Sequence, residues 1–146
     1  MRTLAIDLGT RRVGLAMSDE GGKYATPLEV LQITAPQQAT AAILALIKRE
    51  GVQRIVLGFP INMDDSIGPQ AAQAAEWGRD LAEKSGIPLI LVDERLSSFE
   101  AEQQLSQRRR GGEKLTHKRK KAQLDAIAAA SFLQAFLDGK LPPIDF

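Results

Sequence analysis

The sequence contains no cysteine and only one histidine. Without cysteine the chain forms no disulfide, and thiolate metal sites and cysteine nucleophiles are excluded. No apolar run approaches the roughly 20 residues that a membrane-spanning helix needs. The first residues also lack the apolar segment and cleavage site of a secretory signal peptide. We therefore expect a cytoplasmic protein that has no membrane partner.

The sequence has almost no net charge, +1 at pH 7, but its charges are unevenly placed. Between residues 108 and 121 a single acid, Glu113, stands among eight basic residues, so the rest of the chain is acidic. A local basic segment on an acidic body is typical of contact with a polyanion, although such a run also occurs as a solvated loop. The predicted nucleic-acid contacts of this segment are Arg108, Arg109, Arg110, Lys114, Lys118, Arg119, Lys120 and Lys121.

The length of 146 residues fits one domain, 1–146, with a sizeable core. Three apolar runs separated by turn signals predict an antiparallel meander, and the later alternation of strands and helices predicts parallel pairing. The fold class is therefore α/β, a mixed five-stranded sheet with helices on both faces. The predicted strands cover 3–6, 13–17, 23–32, 52–58 and 88–92, and the predicted helices cover 34–51, 69–85, a stretch from Ser97 and 118–138.

Carboxylates follow the ends of two predicted interior strands. Asp7 ends the first strand, and Asp93 with Glu94 closes the last. Asp125 shares an i, i+4, i+7 stripe with Ala129 and Phe132 in the final helix, so it lies on the core-facing side. Burying a carboxylate is costly unless it is paired or binds a metal. As alternatives, Asp7 caps its turn, and Asp125 pairs with Lys121 or is exposed.

Clustered carboxylates without histidine or cysteine favour a hard cation, Mg²⁺ or Mn²⁺, because the ion relieves their mutual repulsion. Two such ions, about 3.5–4 Å apart, activate a water and stabilise the leaving oxygen in phosphodiester hydrolysis. The basic segment just before Asp125 is placed to hold a nucleic-acid backbone. These residues together predict a metal-dependent nuclease.

The motifs resemble the YqgF-type family, Holliday-junction-resolvase-like nucleases of the ribonuclease H-like superfamily. The resemblance covers nearly the whole chain and rests on Asp7-x-Gly9-x-x-Arg12-Val13-Gly14-x-Ala16, Gly58-x-Pro60 with Asn62-Met63-Asp64, Asp93-Glu94-Arg95-x-Ser97-Ser98 and Asp125-x-x-Ala128-Ala129. It implies a ribonuclease H-like fold and a metal-dependent role in 5′-end maturation of 16S ribosomal RNA.

The resemblance also implies site residues. The family's catalytic acids match Asp7, the Asp93–Glu94 pair and Asp125. Neighbouring strand residues point to opposite faces, so one of Asp93 and Glu94 ligates metal while the other holds Arg95 or a backbone amide. We favour Glu94, which makes the predicted metal ligands Asp7, Glu94 and Asp125. One departure is Asp65, which stands where the family usually has glycine.

The substrate remains open between structured RNA, namely precursor ribosomal RNA, and branched DNA. Arg11, Arg12 and Arg95 are further candidates for nucleic-acid contact, although Arg11 and Arg12 also fit a solvated pair. The alternatives are a Holliday-junction-type DNA resolvase, a non-catalytic RNA-binding maturation factor, and a nucleotide-binding protein of the actin, Hsp70 and sugar-kinase type. The last needs two such domains. We expect a monomer or a weak homodimer.

Overall fold

The computed structural model describes residues 1–62, 64–95 and 117–146, and for residues 117–123 it describes the backbone alone. The helix predicted from Ser97 lies outside the described residues, as do Arg108, Arg109, Arg110 and Lys114. The strands are β1 (Thr3–Leu8), β2 (Arg12–Ser18), β3 (Ala25–Gln32), β4 (Arg54–Phe59) and β5 (Leu89–Asp93). The helices are α1 (Gln37–Glu50), α2 (Pro69–Ser85) and α3 (His117–Leu137).

The five strands form one mixed sheet in the order β3-β2-β1-β4-β5. β1 pairs antiparallel with β2, and β2 with β3, whereas β4 lies parallel to both β1 and β5. The short connections between the first three strands enforce hairpins, and the helical crossovers enforce parallel pairing. The predicted five-stranded mixed sheet is therefore confirmed.

Helices cover both faces of the sheet, as predicted. Leu4, Ile6 and Leu8 of β1 pack in one apolar core with residues of α1 and α2. Ala5 points to the other face, where a second core includes Phe132 of α3. Side chains alternate between the faces of a strand, so this register decides which polar residues share a side with α3.

Glycine ends two helices where the sequence predicts it. Gly51 follows α1 with φ 66° and Gly86 follows α2 with φ 74°, which is left-handed backbone that glycine adopts without steric cost. The start of α1 differs from the prediction, because the N-cap position is Pro36 rather than Thr34. The side chain of Gln38 instead accepts a hydrogen bond from the Thr34 amide. No described helix has the length and apolarity to cross a membrane.

Candidate active site

Asp7 lies near the carboxyl end of β1, on the face that α3 covers. It follows Ala5 by two residues, and Ala5 belongs to the core beneath α3. The β1–β2 turn is closed by the Gly9 amide, which donates to the Arg12 carbonyl at 2.8 Å. This backbone hydrogen bond closes the turn without the carboxylate of Asp7, so the side chain of Asp7 is available for another task.

Gly14 brings α3 against the sheet beside Asp7. It pairs with Asp7 across the β1–β2 ladder. A Cβ atom at this position would lie 2.2 Å from the backbone oxygen of Asp125, which no real contact allows. The missing side chain lets the backbone of α3 approach β2 this closely. As a result, the carboxylate that α3 carries at Asp125 lies next to the carboxylate that β1 carries at Asp7.

Glu94, the residue directly after β5, reaches the same face. Val92 packs in the core beneath α3, and Glu94 follows it by two residues. The side chain of Glu94 lies over Gly58 of β4, where an added Cβ would be 2.7 Å from Glu94 Oε2 and 3.0 Å from Phe132. Gly58 therefore leaves the space that Glu94 occupies between the sheet and α3.

Asp93 points to the opposite face, and Arg95 binds it there. The guanidinium of Arg95 donates to both carboxylate oxygens of Asp93, with Nη2 at 2.7 Å from Oδ2 and Nε at 3.0 Å from Oδ1. These hydrogen bonds hold the pKa of Asp93 below its usual value. The side chains of Asp93 and Glu94 therefore lie on opposite sides of the sheet, and Glu94 is the one beside Asp7.

Arg95 also ties down the loop between β4 and α2. Its Nη1 donates to the Asp65 carboxylate at 2.7 Å and to the Asn62 carbonyl at 3.1 Å. Asp65 has φ 67°, which is the left-handed backbone that glycine adopts most easily. The chain thus keeps a glycine-like backbone at Asp65 and adds an ion pair there. The guanidinium of Arg95 is engaged by protein acids, and its predicted contact with nucleic acid stays a prediction.

Asp7 and Glu94 repel each other when both are ionised. Burial raises the pKa of Asp7 well above its ordinary value, and the charges of Glu94 and Asp125 raise it further. Burial also raises the pKa of Glu94, whereas its hydrogen bond with Asp7 lowers it. Burial at this edge therefore opposes the ionisation of both carboxylates.

Asp125 completes the acidic edge and already has a basic partner. Arg12 Nε donates to Asp125 Oδ2 at 2.5 Å, and both side chains are partly exposed. Asp125 is thus ion-paired, as one of the alternatives predicted, but its partner among the described side chains is Arg12 of β2, whereas the prediction named Lys121. Within the described part of the chain, no three acids are yet grouped as a preformed metal site. An open cavity of about 420 Å³ adjoins the edge, lined by Asp7, Gly9, Thr10, Arg11, Arg12, Gln70 and Asp125.

The structure brings Asp7, Glu94, Asp125, Arg11 and Arg12 to one edge of the sheet, and it separates Asp93 and Arg95 from them. The catalytic, metal-binding and nucleic-acid roles assigned to these residues stay predictions. The side chains of Lys118, Arg119, Lys120 and Lys121 are outside the described atoms. Sequence reasoning missed Gln70, although its place just after a polar loop at a strand end is a usable signal.

Two comparisons with solved structures concern the fold. A Thermus thermophilus RuvC in complex with a Holliday junction substrate matches with a TM-score of 0.60 at 17% identity, covering 99% of both chains. The Fowlpox virus resolvase, also with Holliday junction DNA, matches with a TM-score of 0.56 at 9% identity, covering 94% of this chain and 99% of that one. The chain therefore has the same fold as these two resolvases.

Sequence comparison gives the family. A family described as "Holliday junction resolvase", RuvX, matches residues 1–139, and the chain belongs to this family. A protein of Opitutus terrae named "Putative pre-16S rRNA nuclease" is 43% identical over 144 residues, 98% of this chain and 95% of that protein. One of Anaeromyxobacter sp. with the same name is 39% identical over 140 residues, covering 96% and 98%. The predicted family and nuclease class are confirmed.

Proposed function

We propose that this nuclease cleaves phosphodiester bonds in precursor ribosomal RNA in the cytoplasm, in 5′-end maturation of 16S ribosomal RNA, with Mg²⁺ or Mn²⁺ as cofactor. The observation that supports this most is that Asp7, Glu94 and Asp125 come to one edge of the sheet, beside an arginine-lined cavity. The names of its relatives supply the RNA substrate.

Metal binding accounts for an arrangement that otherwise costs stability. Burial raises the pKa values of Asp7 and Glu94; the charge of Glu94 raises that of Asp7 further, and the charges of Asp93 and Asp125 raise that of Glu94 further. A divalent cation would reverse this, since it favours the ionised form of every carboxylate around it. Hard oxygen donors are the ligands that Mg²⁺ and Mn²⁺ prefer. Asp7, Glu94 and Asp125 would hold the metal, as two ions.

When bound, such ions activate the attacking water and offset the charge that develops on the phosphate. The other parts of the chain position the substrate. Arg11 and Arg12 line the cavity beside Asp7, where a guanidinium can hold a phosphate. The basic residues between 108 and 121 would hold the backbone farther along the nucleic acid. In this account the protein acts as a monomer or a weak homodimer.

A DNA junction is the second candidate substrate, because the family itself is described as a Holliday junction resolvase. The test is a cleavage assay in which the 5′ region of precursor 16S RNA and a four-way DNA junction are offered separately, with Mg²⁺, Mn²⁺ or EDTA. We expect metal-dependent cleavage of the RNA. Preferential cleavage of the junction would favour the resolvase, and binding of either without cleavage in any metal would favour a non-catalytic factor.

The assay has an internal pair of variants. Glu94→Gln removes a charge from the acidic edge, whereas Asp93→Asn removes the neighbouring charge from the opposite face. We expect Glu94→Gln to lose cleavage and Asp93→Asn to retain most of it. Equal loss in the two variants would contradict the assignment of Glu94 to the site.

A further inference from the structure

Arg12 connects the acidic edge to the cavity where a phosphate would enter. Its Nε donates a short, charge-assisted hydrogen bond of 2.5 Å to Asp125 Oδ2. The Asp125 side chain is 25% exposed and that of Arg12 is 32% exposed, so the pair lies at the rim of the site. In this arrangement a guanidinium occupies an oxygen of Asp125 that the proposed metal would need.

The rest of the Arg12 side chain is available to a ligand. The backbone of Arg12 is fixed, because its carbonyl closes the β1–β2 turn. Among the residues described, its guanidinium makes this one hydrogen bond, through Nε. Its terminal amino groups therefore have capacity for a phosphate in the cavity, which Arg12 lines together with Arg11 and Gln70. A phosphate that takes the edge formed by Nε and one terminal amino group, through two parallel hydrogen bonds, must displace Asp125 from Nε.

We propose that Arg12 couples nucleic-acid binding to metal binding by exchanging Asp125 for a backbone phosphate. Before substrate arrives, Arg12 neutralises Asp125 and competes with the metal for it. When a phosphate engages the guanidinium, Asp125 is released to the metal. This inference rests on the proposed function, and it makes Arg12 a positioning residue as well as a phosphate contact.

Reciprocity makes the proposal measurable without turnover. If nucleic acid raises metal affinity through Arg12, then metal must raise nucleic-acid affinity by the same factor. Arg11 supplies a matched control, because it carries the same charge and lines the same cavity, but forms no ion pair with any described residue. A general electrostatic effect would appear in both arginine variants, whereas the exchange would appear only at Arg12.

The first measurement is Mn²⁺ binding by isothermal titration calorimetry to wild type, Arg12→Gln and Arg11→Gln without nucleic acid. We expect Arg12→Gln to bind Mn²⁺ several-fold more tightly than Arg11→Gln, since only the former releases Asp125. Equal gains in the two variants would overturn the exchange. Absence of Mn²⁺ binding in all three proteins would overturn the metal-dependent function and this inference with it.

The second measurement is the affinity of a labelled phosphorothioate RNA hairpin, by fluorescence anisotropy, in Mn²⁺ and in EDTA. In wild type and Arg11→Gln we expect Mn²⁺ to tighten hairpin binding by roughly 5- to 150-fold, the usual range of coupling between sites. In Arg12→Gln the ratio of hairpin affinity in Mn²⁺ to hairpin affinity in EDTA should fall toward one. Arg12→Met, which keeps the aliphatic stem, decides the matter if the glutamine variant folds poorly. Mn²⁺ binding with an unchanged ratio in the Arg12 variants would refute the coupling and leave the proposed function standing.

Discussion

Replacing Asp7 by asparagine should stabilise the protein when no metal is present. Asparagine has nearly the size of aspartate but carries no charge, so it removes the group that burial and the neighbouring acids penalise most. The pKa of Asp7 is raised in the folded chain, which means that folding favours its protonated form. The contribution of Asp7 to the stability of the fold is therefore fully present below its unfolded pKa and is lost as pH rises through its folded pKa.

The size of the gain follows from linkage. Each unit by which the folded pKa exceeds the unfolded pKa costs about 1.4 kcal/mol once pH lies above both values. For a domain of this size, 1 kcal/mol corresponds to about 2–4 °C in Tm. We therefore expect Asp7→Asn to melt several degrees above wild type near pH 8 in EDTA, and the difference to shrink toward pH 5.

The assay is a series of thermal melts between pH 5 and pH 8 in EDTA. Asp93→Asn is the matched control, in which stability should fall rather than rise. Arg95 lowers the pKa of Asp93, so the ionised form of Asp93 stabilises the fold. That pair is partly exposed, so the control should lose less than about 1 kcal/mol. A loss of about 0.5–2 kcal/mol in Asp7→Asn, the range seen when a helix cap is removed, would refute the reasoning and favour a structural role in the turn.

Three further outcomes test the geometry. Gly58→Ala should lose cleavage, because its Cβ would lie 2.7 Å from Glu94 Oε2; cleavage at the wild-type rate would contradict that packing. Gly14→Ala should lower the free energy of unfolding, measured in urea, by about 1–3 kcal/mol or more, since α3 must move away from the sheet. An unchanged urea midpoint would show that α3 can move at little cost. Asp65→Gly should change stability by less than about 1 kcal/mol, because relief at φ 67° offsets the lost ion pair with Arg95; a larger loss would give that ion pair a greater structural role.

Much of the fold is predictable from the sequence because the signals are local. Turn glycines and short connections predict the antiparallel strands, and Gly51 and Gly86 end α1 and α2 at the expected places. Asp125 is predicted to face inward from the apolar spacing of its own helix. Periodicity within one element carries that information without reference to any other element.

The contacts between elements are harder to predict. The sequence leaves open which of Asp93 and Glu94 faces the site, because a shift of one residue in the strand register reverses both. The ion pair between Arg12 and Asp125 joins residues 113 positions apart, and no local pattern marks it. Gly14 and Gly58 read as turn or strand glycines, and only the packing of α3 and Glu94 against them explains the missing side chains.

The central claim is that Asp7, Glu94 and Asp125 form one metal site. The most direct measurement is anomalous diffraction from crystals soaked in Mn²⁺, since manganese identifies itself by its scattering. We expect an anomalous peak bound by carboxylate oxygens of Asp7, Glu94 and Asp125, with Arg12 withdrawn from Asp125. An ion bound instead at Asp93 and Asp65, or no ion at the acidic edge under conditions that support cleavage, would contradict it.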